Sequence, residues 1–309
     1  MQSSGDSQIK EQASWLSRFK ETIGPLFAWW PEYKKSKMGV AGIVIVVIMV
    51  MAILLAPVLA THDPYEYSAD LSGTWLPPSF SHLLGTNSVG QDIWSSLLYA
   101  GRISLAIGVI AAIGATLIGT ILGVIAGYFG GLADEIITRI SDVLLILPRI
   151  PLYIIIAFLV GPGFWTIIMV VVSLGWTRNA RQVRAQTLSC KQYQFVERSR
   201  SQGASNIHIM WNHILPNVAG LVIANFVLEV VTVIMLEAGL SFLGLGDPLH
   251  KSWGVMLHFA QIDGSFSHNA WWWWLPPGIC IALIGTAFSF IGNTLNDRFV
   301  LRLGKRSSA

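Results

Sequence analysis

The stretch MGVAGIVIVVIMVMAILLAPVLA, residues 38–60, contains no charged side chain. A hydrocarbon layer of about 30 Å is crossed by about 20 predominantly apolar residues in a helix. In lipid every backbone N–H and C=O must find its partner inside the segment, so such a run can be a helix and little else. Five more runs follow, at 103–130, about 136–160, 164–176, 218–246 and 274–295. The pattern predicts an all-α integral membrane protein with six transmembrane helices. Composition agrees: 12% of the 309 residues are charged and 53% hydrophobic, against about 25% charged in an ordinary soluble domain.

The division that follows is a polar segment 1–36, a first spanning helix 37–60, an external loop 61–101, a five-helix core 102–300 and a tail 301–309. The polar start offers no short apolar core before a small-residue site, so a cleaved leader is not expected. Within it, Trp29 and Trp30 beside lysines suit a segment lying in the membrane interface. Lys and Arg near span ends stay on the cytoplasmic side. Residues 60–101 contain neither, whereas Lys34, Lys35 and Lys37 precede the first span. Arg178, Arg181, Arg184, Lys191, Arg198 and Arg200 lie between the fourth and fifth, and Arg298, Arg302, Lys305 and Arg306 follow the sixth. Both termini are therefore expected in the cytoplasm of a multi-pass protein of the cell membrane. The net charge of +3 builds no basic field for nucleic acid. Cys190 and Cys280 are far apart and suggest neither a disulfide nor a zinc motif.

The cytoplasmic loop between spans four and five is the most informative segment. Phe195 to Gln202 reads as a short helix, Gly203 can stop it with a positive φ, and Ser205 or Asn206 can cap the next. Ile207, Met210, Trp211 and Ile214 then recur at helical spacing, predicting an amphipathic helix, and Pro216 fits the first turn of span five. One reading is a surface helix on the inner leaflet; the other is a docking element for a cytoplasmic partner.

Here the chain resembles the permease subunits of binding-protein-dependent ABC importers. VERSRSQGASNIHIMWNHILPN is similar to their Glu-Ala-Ala, three residues, Gly, Ile-x-Leu-Pro loop. Glu197 and Gly203 keep the spacing, Ala204 follows, and Leu215-Pro216 close it. Arg198 and Ser199 replace the alanines, and His213 stands where the general pattern has Ile. HILPN is usual in the dipeptide, oligopeptide and nickel branch. HLLGTNSVGQDIWSSLLYAGRISLAIG (82–108), GYFGGLADEIITRISDVLLILP (127–148), EAGLSFLGLG (237–246) and SWGVML (252–257) extend the resemblance to residues 80–300, that of the C-type permease of the pair. The resemblance implies a pore shared with a second homologous permease, two ATP-binding subunits below, and an external substrate-binding protein above. Residues 197–203 would form the coupling helix seated on one ATPase. This chain has no Gly-rich loop followed by Lys and Ser/Thr to cradle phosphates. ATP and magnesium therefore belong to partner subunits, and no cofactor or catalytic residue is expected here.

Charges at bilayer depth face a cavity or a partner. Arg149 lies about 20 Å along the third run and Glu229 about 18 Å along the fifth, at similar depth and of opposite sign. Asn225, Glu229 and Thr232 share one face at helical spacing. They can fix helix packing, as an Arg149–Glu229 pair would, or line a translocation path. Asp142 and Glu237 fall in stretches shared with the family and fit a scaffold role. Gly119 and Gly123 form a small-xxx-small step for close packing on a neighbouring span or on the partner permease. Five of the seven histidines, His62, His82, His250, His258 and His268, lie in outer segments; their spacing is not that of a metal motif, so no metal site is expected.

Trp271 to Trp274 sit at the outer end of span six. Adjacent helical side chains point about 100° apart, so four rings cannot face one ligand, but all can sit at headgroup depth as interface anchors. Pro276 and Pro277 would open the helix. The branch implies di- or oligopeptides as substrate, with oligosaccharides, suggested by the aromatic-rich 252–278, as the alternative and nickel as a third. An ion-coupled secondary transporter is disfavoured because no inverted repeat of broken helices is visible. A membrane enzyme is disfavoured because no His, Cys or carboxylate constellation is visible.

Overall fold

The computed structural model describes residues 33–67 and 71–307; the expected interfacial segment with Trp29 and Trp30 lies outside them. Among the described residues the chain is helical, its one β-bridge joining Thr86 to Asp92. Four helices are long and apolar enough to cross a membrane, or five when one bent pair counts as a single span.

Helix α1 (Lys37–Leu54) is capped by Ser36, whose hydroxyl accepts from the Gly39 amide, and a short α2 (Ala56–Leu59) follows. Helix α3 (Ile93–Phe129) starts well before the expected residue 103, because Asp92 caps it by accepting from Ser95 N. The small polar residues of 94–102 imitate a loop in composition, but Ser95, Ser96 and Ala100 are buried. The loop expected over 61–101 therefore ends at Asp92. The third run is two helices, α4 (Gly131–Ile146) and α5 (Arg149–Val160), bent by 93°. Proline lacks an N–H and forces the residue before it out of the helical region; Leu147, with ψ 138°, precedes Pro148. The single helix expected over 136–160 is thus broken.

Helix α6 (Phe164–Lys191) continues fifteen residues past the apolar run that marks it. Helix α7 (Gln194–Ser201) and helix α8 (Asn206–Ile209) form the hairpin. A π-turn, Met210–Ile214, joins α8 to α9 (Leu215–Leu240). The widened turn accommodates Pro216, which cannot donate. A second π-turn, Ser241–Leu245, ends that span, with Gly244 at φ 85°. The segment 247–270, expected as loop, contains a helix: α10 (Trp253–Ile262) is capped by Ser252, which accepts from Val255 N. Helix α11 (Trp271–Ser307) starts at the first tryptophan and runs into the expected tail, so Pro276 and Pro277 lie inside the helix rather than at its start.

Helix α3 is the central post. A Cβ on Gly119 or Gly123 would lie 2.6 Å from the carbonyl oxygen of Trp176 or Ala180, so the small-xxx-small face seats α6 of the same chain. On its other side Gly108 admits Ile234 of α9. Ile93, Ile107, Ala111, Ile167, Val171, Val230, Ile234, Trp253 and Ile284 form the main apolar core between these helices.

Candidate functional site

The hairpin is built around a buried apolar patch. Val196 of α7, Ile209 and Ile214 pack with Val183, Cys190 and Val218, all buried. That burial leaves Glu197, Arg198 and Arg200 exposed. The turn is a Schellman motif: Gly203 N bonds the Arg200 carbonyl at 3.0 Å, and Ala204 N bonds that of Ser199 at 3.1 Å. This motif needs a left-handed residue after the helix, and Gly203 sits at φ 82°. Ser205 caps α8, accepting from His208 N; Asn206 is a helical residue whose Oδ1 accepts from Tyr128 Oη at 2.8 Å. The C-terminal end of α3 is thereby tied to the hairpin.

The buried face of α8 and its π-turn differs from the expected one. Ile209 and Ile214 point inward, whereas Ile207 and Trp211 are 75% and 70% exposed. The π-turn adds a residue to the turn, which shifts the α-helical register on which Ile207, Met210, Trp211 and Ile214 align. Ser199 and His213, two departures from the family pattern, meet: Ser199 Oγ and His213 Nε2 are 3.2 Å apart. Leu215 and Pro216 follow at the start of α9.

A second polar site lies between α3, α6 and α9. A cavity of about 120 Å³ is lined by Thr116, Arg178, Asn179, Gln182, Asn225, Glu229 and Thr232, among others. The three α9 residues expected to share a face therefore do. Gly175 makes room for the carboxylate: a Cβ there would lie 3.1 Å from Glu229 Oε1. Thr116 Oγ1 is buried with no hydrogen-bond partner among the described residues, although a buried hydroxyl left so costs about 1–3 kcal/mol. Asn225 Nδ2 donates to Asn179 Oδ1 at 2.8 Å, and Asn179 Nδ2 to the Thr116 carbonyl at 2.7 Å. Asn225 thus contributes to packing as well as to the lining.

Arg149 is not paired with Glu229. Among the described residues no ion pair within 4.0 Å joins them. Arg149 opens α5 after the bend and reaches Thr177 Oγ1 at 3.4 Å. Counting depth along one straight helix fails at that bend. Arg178 and Gln182, absent from the sequence-derived set, lie on the part of α6 beyond the apolar run; their spacing of four was the available signal. Asp142 pairs with Arg181 and Asp134 with Arg184, joining α4 to α6. Glu237, fully buried, accepts from Ser241 Oγ at 2.7 Å and from Ser104 Oγ at 3.3 Å.

The four tryptophans divide. Trp271 is 51% exposed, but Trp273 is 3% exposed and meets Trp75 edge-on at 5.4 Å. Trp75 in turn stacks on His268. Trp272 Nε1 donates to the Thr86 carbonyl at 3.3 Å, and Trp274 stacks on Phe266. Trp273 is thus a core residue and no headgroup anchor. Residues around Trp75, Thr86 and Phe266 fold over the start of α11, which a sequence read as loop does not reveal.

A profile described as the inner membrane component of binding-protein-dependent transport systems matches residues 119–305. A second, the N-terminal transmembrane domain of oligopeptide transport permease C, matches residues 25–78. The dipeptide transport system permease protein DppC of Bacillus subtilis is 38% identical over 87% of this chain and 83% of its own length. The oligopeptide transport system permease protein OppC of the same organism is 36% identical over 88% of each chain. DppC of Alkalihalophilus pseudofirmus is 33% identical over 89% of each. With both profiles matched in order and relatives aligned along most of its length, this chain belongs to the inner-membrane permease components of binding-protein-dependent ABC importers.

Proposed function

We propose that the chain is one permease subunit of an ATP-driven importer of di- or oligopeptides. It shares the pore with a second, homologous permease, is driven by two ATP-binding subunits, and receives substrate from an external binding protein. The observation that carries the reading is the α7 hairpin: a short rigid helix, exposed along its charged edge, stopped by the Gly203 turn and braced on α3 and α6. Such an element transmits a push from a docked ATPase without deforming. The relatives' names, dipeptide and oligopeptide permeases, favour peptides over oligosaccharides or nickel.

In this reading the chain crosses the membrane six times, by α1, α3, the α4–α5 pair, α6, α9 and α11. Both termini and the hairpin are cytoplasmic. The polar cavity around Glu229, Arg178 and the unsatisfied Thr116 hydroxyl belongs to the translocation path. Proteoliposomes holding the chain with its partner subunits should take up peptides only with ATP and the binding protein present. Uptake without ATP-binding subunits would overturn the reading in favour of a gradient-driven carrier.

A further inference from the structure

We propose that His62, His82 and Asp92 form a divalent transition-metal site where the segment before α3 folds back onto the start of that helix. The three residues are scattered in sequence, and the fold brings them together. One ligand atom from each lies within 4.8 Å of the other two. Asp92 Oδ1 is 3.0 Å from His82 Nδ1 and 3.9 Å from His62 Nδ1. Donors bound at about 2.0–2.2 Å around a tetrahedral ion lie about 3.4 Å apart, so the two separations bracket the required edge.

The carboxylate is prepared for the role. Its side chain is 1% exposed, and Oδ2 is fully engaged, accepting from Ser95 N at 2.8 Å, Ser95 Oγ at 2.7 Å and Thr61 Oγ1 at 3.4 Å. Those bonds orient Oδ1 toward the two imidazoles, as outer hydrogen bonds orient a ligating carboxylate elsewhere. The entry side is open: the His62 side chain is 39% exposed and His82 20%. The two rings stack with centroids 4.5 Å apart. Binding therefore requires the His62 ring to turn and its Nδ1 to give up the 3.1 Å contact with Thr61 Oγ1, and the ion to replace the hydrogen bond between His82 Nδ1 and Asp92 Oδ1. Two imidazoles and one carboxylate suit a borderline ion such as Zn²⁺, Co²⁺ or Ni²⁺ rather than Mg²⁺ or Ca²⁺. Three protein ligands leave a fourth position for water. The bound ion would clasp residues 61–62 to residue 82 and to the α3 cap.

The test uses the full chain purified in detergent with its co-purifying subunits, titrated with Zn²⁺ by equilibrium dialysis and with Co²⁺ by visible absorption. One saturable Zn²⁺ should bind per chain and Co²⁺ should show the bands of a nitrogen-ligated ion. His62→Ala, at a partly exposed position that spares the Asp92 cap, should weaken Zn²⁺ binding at least about tenfold, the lower end of what loss of an outer-shell partner costs. His62→Ala with His82→Gln should abolish both signals. Absence of saturable binding, or binding and Co²⁺ bands unchanged in either variant, would overturn the proposal and leave a hydrogen-bonded helix cap. Neither outcome depends on which substrate the importer carries.

Discussion

A Cβ built on Gly123 would lie 2.6 Å from the Ala180 carbonyl oxygen and 3.1 Å from the Arg184 amide nitrogen. Both are backbone atoms in a helix and cannot turn aside. Gly123→Val should therefore destabilise by about 1–3 kcal/mol through overpacking, outweighing the roughly 0.3–0.5 kcal/mol of helix propensity that valine gains over glycine. Gly239, with nothing within 4 Å of its Cβ position, is the control: Gly239→Ala should leave the melting midpoint in detergent unchanged or slightly higher. At Glu237 the relevant quantity is hydrogen-bond satisfaction. Its carboxylate holds Ser241 and Ser104, and Ser104 Oγ accepts from Trp253 N at 3.1 Å. Glu237→Leu strands hydroxyls worth about 1–3 kcal/mol each, whereas Glu237→Gln keeps an acceptor. The Leu variant should melt well below the Gln variant, and equal midpoints would remove the scaffold role. Sequence spacing marked Gly119 and Gly123 as packing positions and the family resemblance marked Glu237 as a scaffold position, but which surfaces they meet was not encoded locally.

Among the elements, the α7–α8 turn and the 247–252 segment carry separate predictions. A β-branched residue at Gly203, φ 82°, is strained by roughly 1–2 kcal/mol in the left-handed region. Gly203→Val should raise the ATP hydrolysed per substrate imported while leaving the chain folded. Gly203→Asn should fall in between, since Asn tolerates this conformation. A ratio unchanged in both would remove the coupling role. In the segment between α9 and α10, Lys251 Nζ is enclosed by the Pro64 carbonyl and Gln91 Oε1. Burial pushes its ammonium down to about 8, with Asp63 pulling the other way. A lysine depressed in the folded state binds fewer protons than the unfolded chain between about pH 8 and its ordinary value near 10.4. Stability should therefore rise with pH across that window, by up to about 3 kcal/mol at about 1.4 kcal/mol per pKa unit. Lys251→Met should flatten the dependence in melts taken from pH 7.5 to 10, and a profile falling with pH would contradict it. The short α7 helix and its Gly203 stop were legible because capping and turn chemistry are local. The inward face of α8 was not, because the π-turn shifts the register, and the α3 start was masked by small polar residues that bury well.

For the whole molecule, orientation is the testable quantity. Phe80 is fully exposed in the segment before α3, and Gln202 is exposed beside the hairpin turn. Cys190 is buried and Cys280 only partly accessible, which leaves a low labelling background. A membrane-impermeant maleimide should label Phe80→Cys in intact cells and Gln202→Cys only after permeabilisation; the reverse pattern would invert the topology.

Two kinds of information separate cleanly in this chain. Long apolar runs, the exclusion of Lys and Arg from residues 60–101, and the order of the family motifs are one-dimensional. The physics behind them, lipid solvation of the backbone and membrane charge asymmetry, acts on each segment by itself, so membrane class and family could be read from the sequence. Only the tertiary structure decided that Trp273 packs on Trp75 inside the protein. It alone separated Arg149 from Glu229 at the Pro148 bend, drew Arg178 and Gln182 to the cavity, and brought His62, His82 and Asp92 together. Each of those is a contact between segments distant in the chain, set by helix packing and by where a helix breaks.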